Sequence, residues 1–160
     1  MSDYEYFYEN KEANFGPPLQ KEVQGGAHLT FDIILHNRRN IFGLRLPDGL
    51  HGAKKNGLYF PHGLIRFGES AFQCANRLTK KYASIKLEGI QFQNFVSWAD
   101  DNNHWHMCLN ILAEVEDKPK TSDLVSEIVA FNKTNIPDEF PWWETSQLGD
   151  VFDLLHKLYD

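Results

Sequence analysis

The stretch LYFPHGLIRFGESAFQCANRLTKKYASIKL, Leu58 to Leu87, decides how the rest of the chain is read. It opens on a short apolar run, Leu58–Phe60, which leads into Pro61 and Gly63. From Ser70 the pattern changes period. Ala71, Ala75, Leu78 and Tyr82 follow at spacings of four, three and four, which lines one face of a helix. Ser70 stands where an N-cap belongs, so a helix over 70–82 is predicted. Strand, Gly-bounded loop and amphipathic helix thus follow one another without a break.

Working outward, HLTFDIILHN (His28–Asn37) has the β-branched and aromatic content of a strand, with Asp32 as its one acid. IFGLRL (Ile41–Leu46) reads as a second strand after the turn NRRN, and Pro47, Gly49, Gly52 and Gly57 mark a loop. Beyond the helix, Ile90–Ala99 and His104–Val115 read as two more strands joined by the turn DDNN, whose acids are most simply solvated. The run DLVSEIVAFN is ambiguous between a strand and a short helix. The chain closes on an amphipathic helix with Leu148, Val151, Phe152, Leu155 and Leu158 on one side. Strands, helix, strands, helix is the order of an α/β or α+β sandwich, with a mixed sheet between helices.

The 160 residues suit one domain, taken as 21–160, preceded by an arm over 1–20 that docks through Tyr4, Tyr6, Phe7 and Tyr8 and stops at Gly16–Pro18. A net charge of −6 argues against a general nucleic-acid binder while leaving room for a small basic pocket. Cys74 and Cys108 form neither a disulfide framework nor a metal-ligand spacing, and both read as buried thiols. No apolar run approaches the ~20 residues of a membrane span, and the acidic, aromatic N-terminus has no signal-peptide core. A cytoplasmic location is expected.

The quoted stretch resembles the Nudix box: Gly, five residues, Glu, seven residues, then Arg-Glu-apolar-x-Glu-Glu-x-Gly-apolar. Gly63, Glu69 and Arg77 carry its spacing. Leu78, Lys81 and Tyr82 then stand in the three glutamate places, and Ser84 in that of the glycine. The resemblance sharpens toward the GDP-mannose mannosyl hydrolase branch. Arg77-Leu78-Thr79, the strand DIILHN (Asp32–Asn37) and DEFPW (Asp138–Trp142) are similar to that branch. The matches cover about His28 to Leu87 and Asp138 to Leu148.

The resemblance implies the Nudix fold and a nucleotide or nucleotide-sugar ligand. It also implies Mg²⁺ held by helix carboxylates against a diphosphate, and in this branch water attacks the sugar carbon while GDP leaves. Its retained carboxylate falls on Tyr82, its arginine after the box glycine on Leu64, and its base histidine on Pro137. Tyrosine is no ligand for a hard cation at neutral pH. No metal or other cofactor is therefore expected, Mg²⁺ entering only if the protein is active. If the helix presents its substituted places to a cleft, Tyr82→Glu should create metal binding.

Each remaining candidate has a plainer reading beside it. Glu69, paired to Arg77, holds the loop over the helix. Asp32 is a ligand-side acid or an exposed strand acid. Arg45 and Arg66 contact phosphate or are solvated charges. His104 and His106 share a strand face, as a metal pair would, but lack a third ligand. Trp98, Trp105, Trp142 and Trp143 include a base-stacking ring or pack in the core. Three functions follow: a nucleotide-sugar binder with weak or no hydrolysis; an active hydrolase rebuilt on substitutes such as Asp32, Glu69 and His104; or a partner-binding module, with the arm exchanged in a homodimer.

Overall fold

The computed structural model describes residues 27–47, 56–99, 101 and 104–159. The arm read over 1–20 and most of the loop after Pro47 lie outside the described residues. The strands are β1 (His28–His36), β2 (Ile41–Arg45), β3 (Leu58–Tyr59), β4 (His62–Leu64), β5 (Gln91–Ala99), β6 (Trp105–Glu114) and β7 (Glu127–Phe131). The helices are α1 (Ala71–Ala83) and α2 (Thr145–Tyr159). The ambiguous run resolves as β7, because it pairs antiparallel with β2 along that strand's whole length, Ile41 opposite Phe131 and Arg45 opposite Glu127.

All the described strands form one mixed sheet. Its main path runs β3-β2-β1-β6-β5, with β4 on β1 and β7 on β2. β1 and β6 run parallel from His28–His106 to His36–Glu114, and the other pairs are antiparallel. Alternation along β1 splits the core in two. Phe31, Ile33 and Leu35 face α1 and pack with Cys74, Ala75, Leu78 and Tyr82. Ile34 faces the other way and packs with Leu148, Val151, Phe152 and Leu155 of α2. The sheet is thus sandwiched between helices. Leu158, read on the apolar side, is instead 40 % exposed in the last turn of α2.

α1 begins in a capping box. The Ser70 hydroxyl accepts from the Gln73 N–H at 3.2 Å, and Gln73 Oε1 accepts from the Ser70 N–H at 2.8 Å. It ends at Ser84 in the left-handed region, φ 58°. That conformation favours glycine, which is why a glycine belongs at this place in the motif. α1 also lies very close to β4. A Cβ on Gly63 would meet Leu78 Cδ2 at 2.7 Å.

Candidate functional site

Registered neighbours in a sheet share a face, so the pairing assembles three rows of side chains on the α2 side. The first is His62, Asp32, Asn110 and Asn94. The second is Leu64, Thr30, Cys108 and Val96. The third is His28, His106 and Trp98. His62, Asp32, Asn110, Thr30, Cys108 and His28 are all buried. So many polar groups withdrawn from water need partners.

Among the described residues, Asp32 has two side-chain partners. His62 Nδ1 stands 2.5 Å from its Oδ1, and Trp143, from the segment before α2, donates its indole N–H to Oδ2 at 3.1 Å. Trp142 lies against His62, ring centroids 4.8 Å apart and tilted, and edge-on to Tyr59 at 4.9 Å. Asn110 donates to Asn94 Oδ1 at 2.6 Å and receives the Cys108 thiol at 3.7 Å. Burial, and next the Asp32 charge, push the Cys108 thiol above its ordinary range. Asp32, His62 and Cys108 each offer a ligand atom, and these atoms lie within 4.8 Å of one another.

His104 lies just before β6, stacked on His28 with centroids 6.0 Å apart. His28 is four residues from Asp32 on β1, about 13 Å along the strand. Asp32 and His104 therefore sit at different ends of the face rather than in one constellation. Trp98 is half exposed and stacks on His106 at 5.1 Å and 14°. Arg45 is engaged by acids: Glu127 at 2.5 Å, Glu139 at 3.5 Å, with the Asn56 carbonyl as a further acceptor. Arg66 gives its backbone N–H to Glu69 Oε2 at 2.9 Å. The sequence reading passed over His62; it read Cys108 as a buried thiol, which it is, without placing it beside Asp32. Neither lies near Asp32 in the chain, and only the order β4-β1-β6 joins them.

On the other face, Glu69 and Arg77 form a two-pronged pair, with 2.7 Å to Oε1 and 2.8 Å to Oε2. Arg77 also donates to the Leu64 carbonyl at 2.8 Å, so the pair ties the loop after β4 to α1. Burial opposes ionisation of Glu69, but Arg77 and the Arg66 N–H outweigh it and hold the carboxyl below its ordinary range. Cys74, beside them, is pushed up to about 12 by burial and then by the Glu69 charge.

No protein-family model and no curated protein matches the sequence, but solved structures match the fold. A MutT/nudix family protein from Enterococcus faecalis is 21 % identical with TM-score 0.55; the match covers 82 % of this chain and 51 % of that one, so this chain spans about half its length. A MutT protein from Methanosarcina mazei Go1 is 13 % identical with TM-score 0.65, covering 86 % of this chain and 98 % of that one. The NUDIX domain of Shewanella oneidensis NrtR, solved with ADP ribose, is 15 % identical with TM-score 0.62, covering 99 % of each. At these identities the likeness is one of fold: the chain has the Nudix fold.

That fold family implies Mg²⁺ on the helix, and the residues here do not fit it. Leu78 and Tyr82 are 2 % and 1 % exposed and packed in the apolar cluster under α1, so these places face the core and not a cleft. Lys81 is a cation. Both Glu69 oxygens are committed to Arg77 and the Arg66 N–H. A hard cation that takes oxygen ligands finds no carboxylate on this helix.

Proposed function

We infer that the protein binds a nucleotide or nucleotide sugar in a Nudix shell and hydrolyses it weakly or not at all, the GDP-mannose type being the ligand its sequence resembles. The observation that carries this reading is the packing of α1: apolar side chains fill the core where helix carboxylates would face a diphosphate-bound metal. Leu64, buried at 6 % exposure in place of a cation, and Pro137, with no proton acceptor, point the same way. Each substitution touches a different contribution to the barrier, so restoring one alone recovers little. Binding is less affected, because shape and stacking rings are not the reacting groups. The ADP ribose held by the NrtR domain supports a nucleotide diphosphate as the ligand class.

The test pairs thermal-shift measurements on GDP-mannose, other nucleotide sugars and ADP-ribose, with and without Mg²⁺, with product analysis by chromatography. A ligand that binds the folded state raises Tm. The expected result is a shift that does not need Mg²⁺, with no product after overnight incubation. Turnover comparable with active Nudix hydrolases overturns the impaired-enzyme reading, and no shift across the panel overturns the binding one.

A further inference from the structure

We propose that Asp32, His62 and Cys108 form a binding site for a borderline divalent cation, of which Zn²⁺ is the type. The proposal is independent of nucleotide binding and concerns the sheet face away from α1.

The three side chains come from neighbouring strands. β4 supplies His62, β1 supplies Asp32 directly opposite it, and β6 supplies Cys108 opposite Thr30, two residues along β1 on the same face. Ligand groups on sheet strands are held more precisely than groups on loops. Their ligand atoms already lie within 4.8 Å of one another. An Asp–His hydrogen bond in a core would explain two of these residues. It does not explain a thiol facing them from the other side of β1.

The chemistry of the set selects the metal. One carboxylate oxygen, one imidazole nitrogen and one sulfur suit Zn²⁺ or Co²⁺, whereas Mg²⁺ takes oxygens alone. Three protein ligands leave a fourth tetrahedral position for water or a ligand oxygen. Bonds of about 2.0–2.1 Å place two tetrahedral ligand atoms about 3.4 Å apart. Asp32 Oδ1 and His62 Nδ1, now 2.5 Å apart, would separate by about 1 Å to admit the metal between them. Cys108 binds as thiolate and gives its proton to solvent.

A supporting contact of the kind such sites use is also present. Trp143 holds Asp32 Oδ2 by its indole N–H, which leaves Oδ1 toward His62. Asn110 Oδ1, its amide anchored on Asn94, accepts the Cys108 S–H, a bond given up when the thiolate takes the metal. The Asp32 and His62 side chains keep 8 % and 10 % of their surface exposed, which gives an ion a way in.

The experiment uses the full chain stripped with EDTA and titrated with Co²⁺. The expected result is one equivalent bound, with an intense near-ultraviolet thiolate-to-cobalt band and tetrahedral visible bands. Zn²⁺ should abolish the spectrum and Mg²⁺ should not. Cys108→Ser should lose the thiolate band while keeping its circular dichroism, and Cys74→Ser should keep the band. Trp143→Phe should keep the band with affinity weakened about 10- to 100-fold. Co²⁺ binding without a thiolate band, a band that survives Cys108→Ser, or no binding at millimolar Co²⁺ overturns the proposal.

Discussion

Replacing Tyr82 by glutamate tests whether the box helix faces a cleft or the core. The side chain is 1 % exposed and lies among Phe31, Leu78 and Leu87. A glutamate there starts from a carboxyl pKa of ~4.3, and keeping it neutral at pH 7 costs about 1.4 kcal/mol per pH unit, about 4 kcal/mol in all. Lost ring packing adds to this. The Lys81 ammonium, 5.4 Å from the Tyr82 ring centroid, offsets part of it by pairing with the new acid. The net expectation is a loss of about 3–5 kcal/mol, a large share of a typical domain's stability. Urea unfolding of wild type, Tyr82→Phe and Tyr82→Glu at pH 7, each with and without millimolar Mg²⁺, measures it. Tyr82→Phe keeps the ring and controls for the hydroxyl. A Tyr82→Glu protein within about 1 kcal/mol of wild type, or one that recovers its stability on adding Mg²⁺, would refute the reasoning. The first result would mean that residue 82 reaches solvent, the second that it reaches a metal.

Three further expectations follow from features already described. Glu69→Ala or Arg77→Ala should lower stability by about 1–3 kcal/mol, and the double mutant should lose less than the sum of the two, as read by a denaturant double-mutant cycle. Ser84→Gly should raise stability by about 0.5–1 kcal/mol, because glycine meets no Cβ penalty at φ 58°, and a higher Tm would report it. Burial lowers the His36 pKa from 6.5 to about 4, with Glu114 opposing, Arg38 assisting and the Tyr159 ring packed 5.7 Å away. The neutral ring accepts the Arg38 N–H at 3.2 Å. The unfolded chain takes up this proton near pH 6.5 and the folded one only near 4, so the contribution is complete above 6.5 and lost as pH falls toward 4. The difference is worth about 3 kcal/mol, and His36→Gln should flatten that limb of the stability–pH curve.

What the sequence disclosed was local. The period of α1 and its Ser70 cap lie within one short segment, so they could be read directly. The partnership of Glu69 with Arg77 spans only the Ser70 cap and two helical turns. β7 was ambiguous because a short apolar run fits either state, and its pairing with β2 decided the matter. Leu78 and Tyr82 could be seen to replace acids, but their direction depends on how closely α1 approaches Gly63. The Asp32–His62–Cys108 group was out of reach for another reason: its members become neighbours only through strand order, and no spacing along the chain encodes that.

The parallel pairing of β1 with β6 also sets when the protein can fold during synthesis. Thr30 donates to the Met107 carbonyl, 77 residues further along the chain. At about 5–20 residues per second, β1 waits roughly 4–15 s for its central partner to be made. Through that interval β1 has only β2 and β4 as strand partners and α1 on one face, and a long-range closure must follow before the sheet is complete. Asp32 meets Cys108 only after that closure, so an ion held between them would bind a chain in which β1 and β6 are already paired, and its capture would report that step of folding.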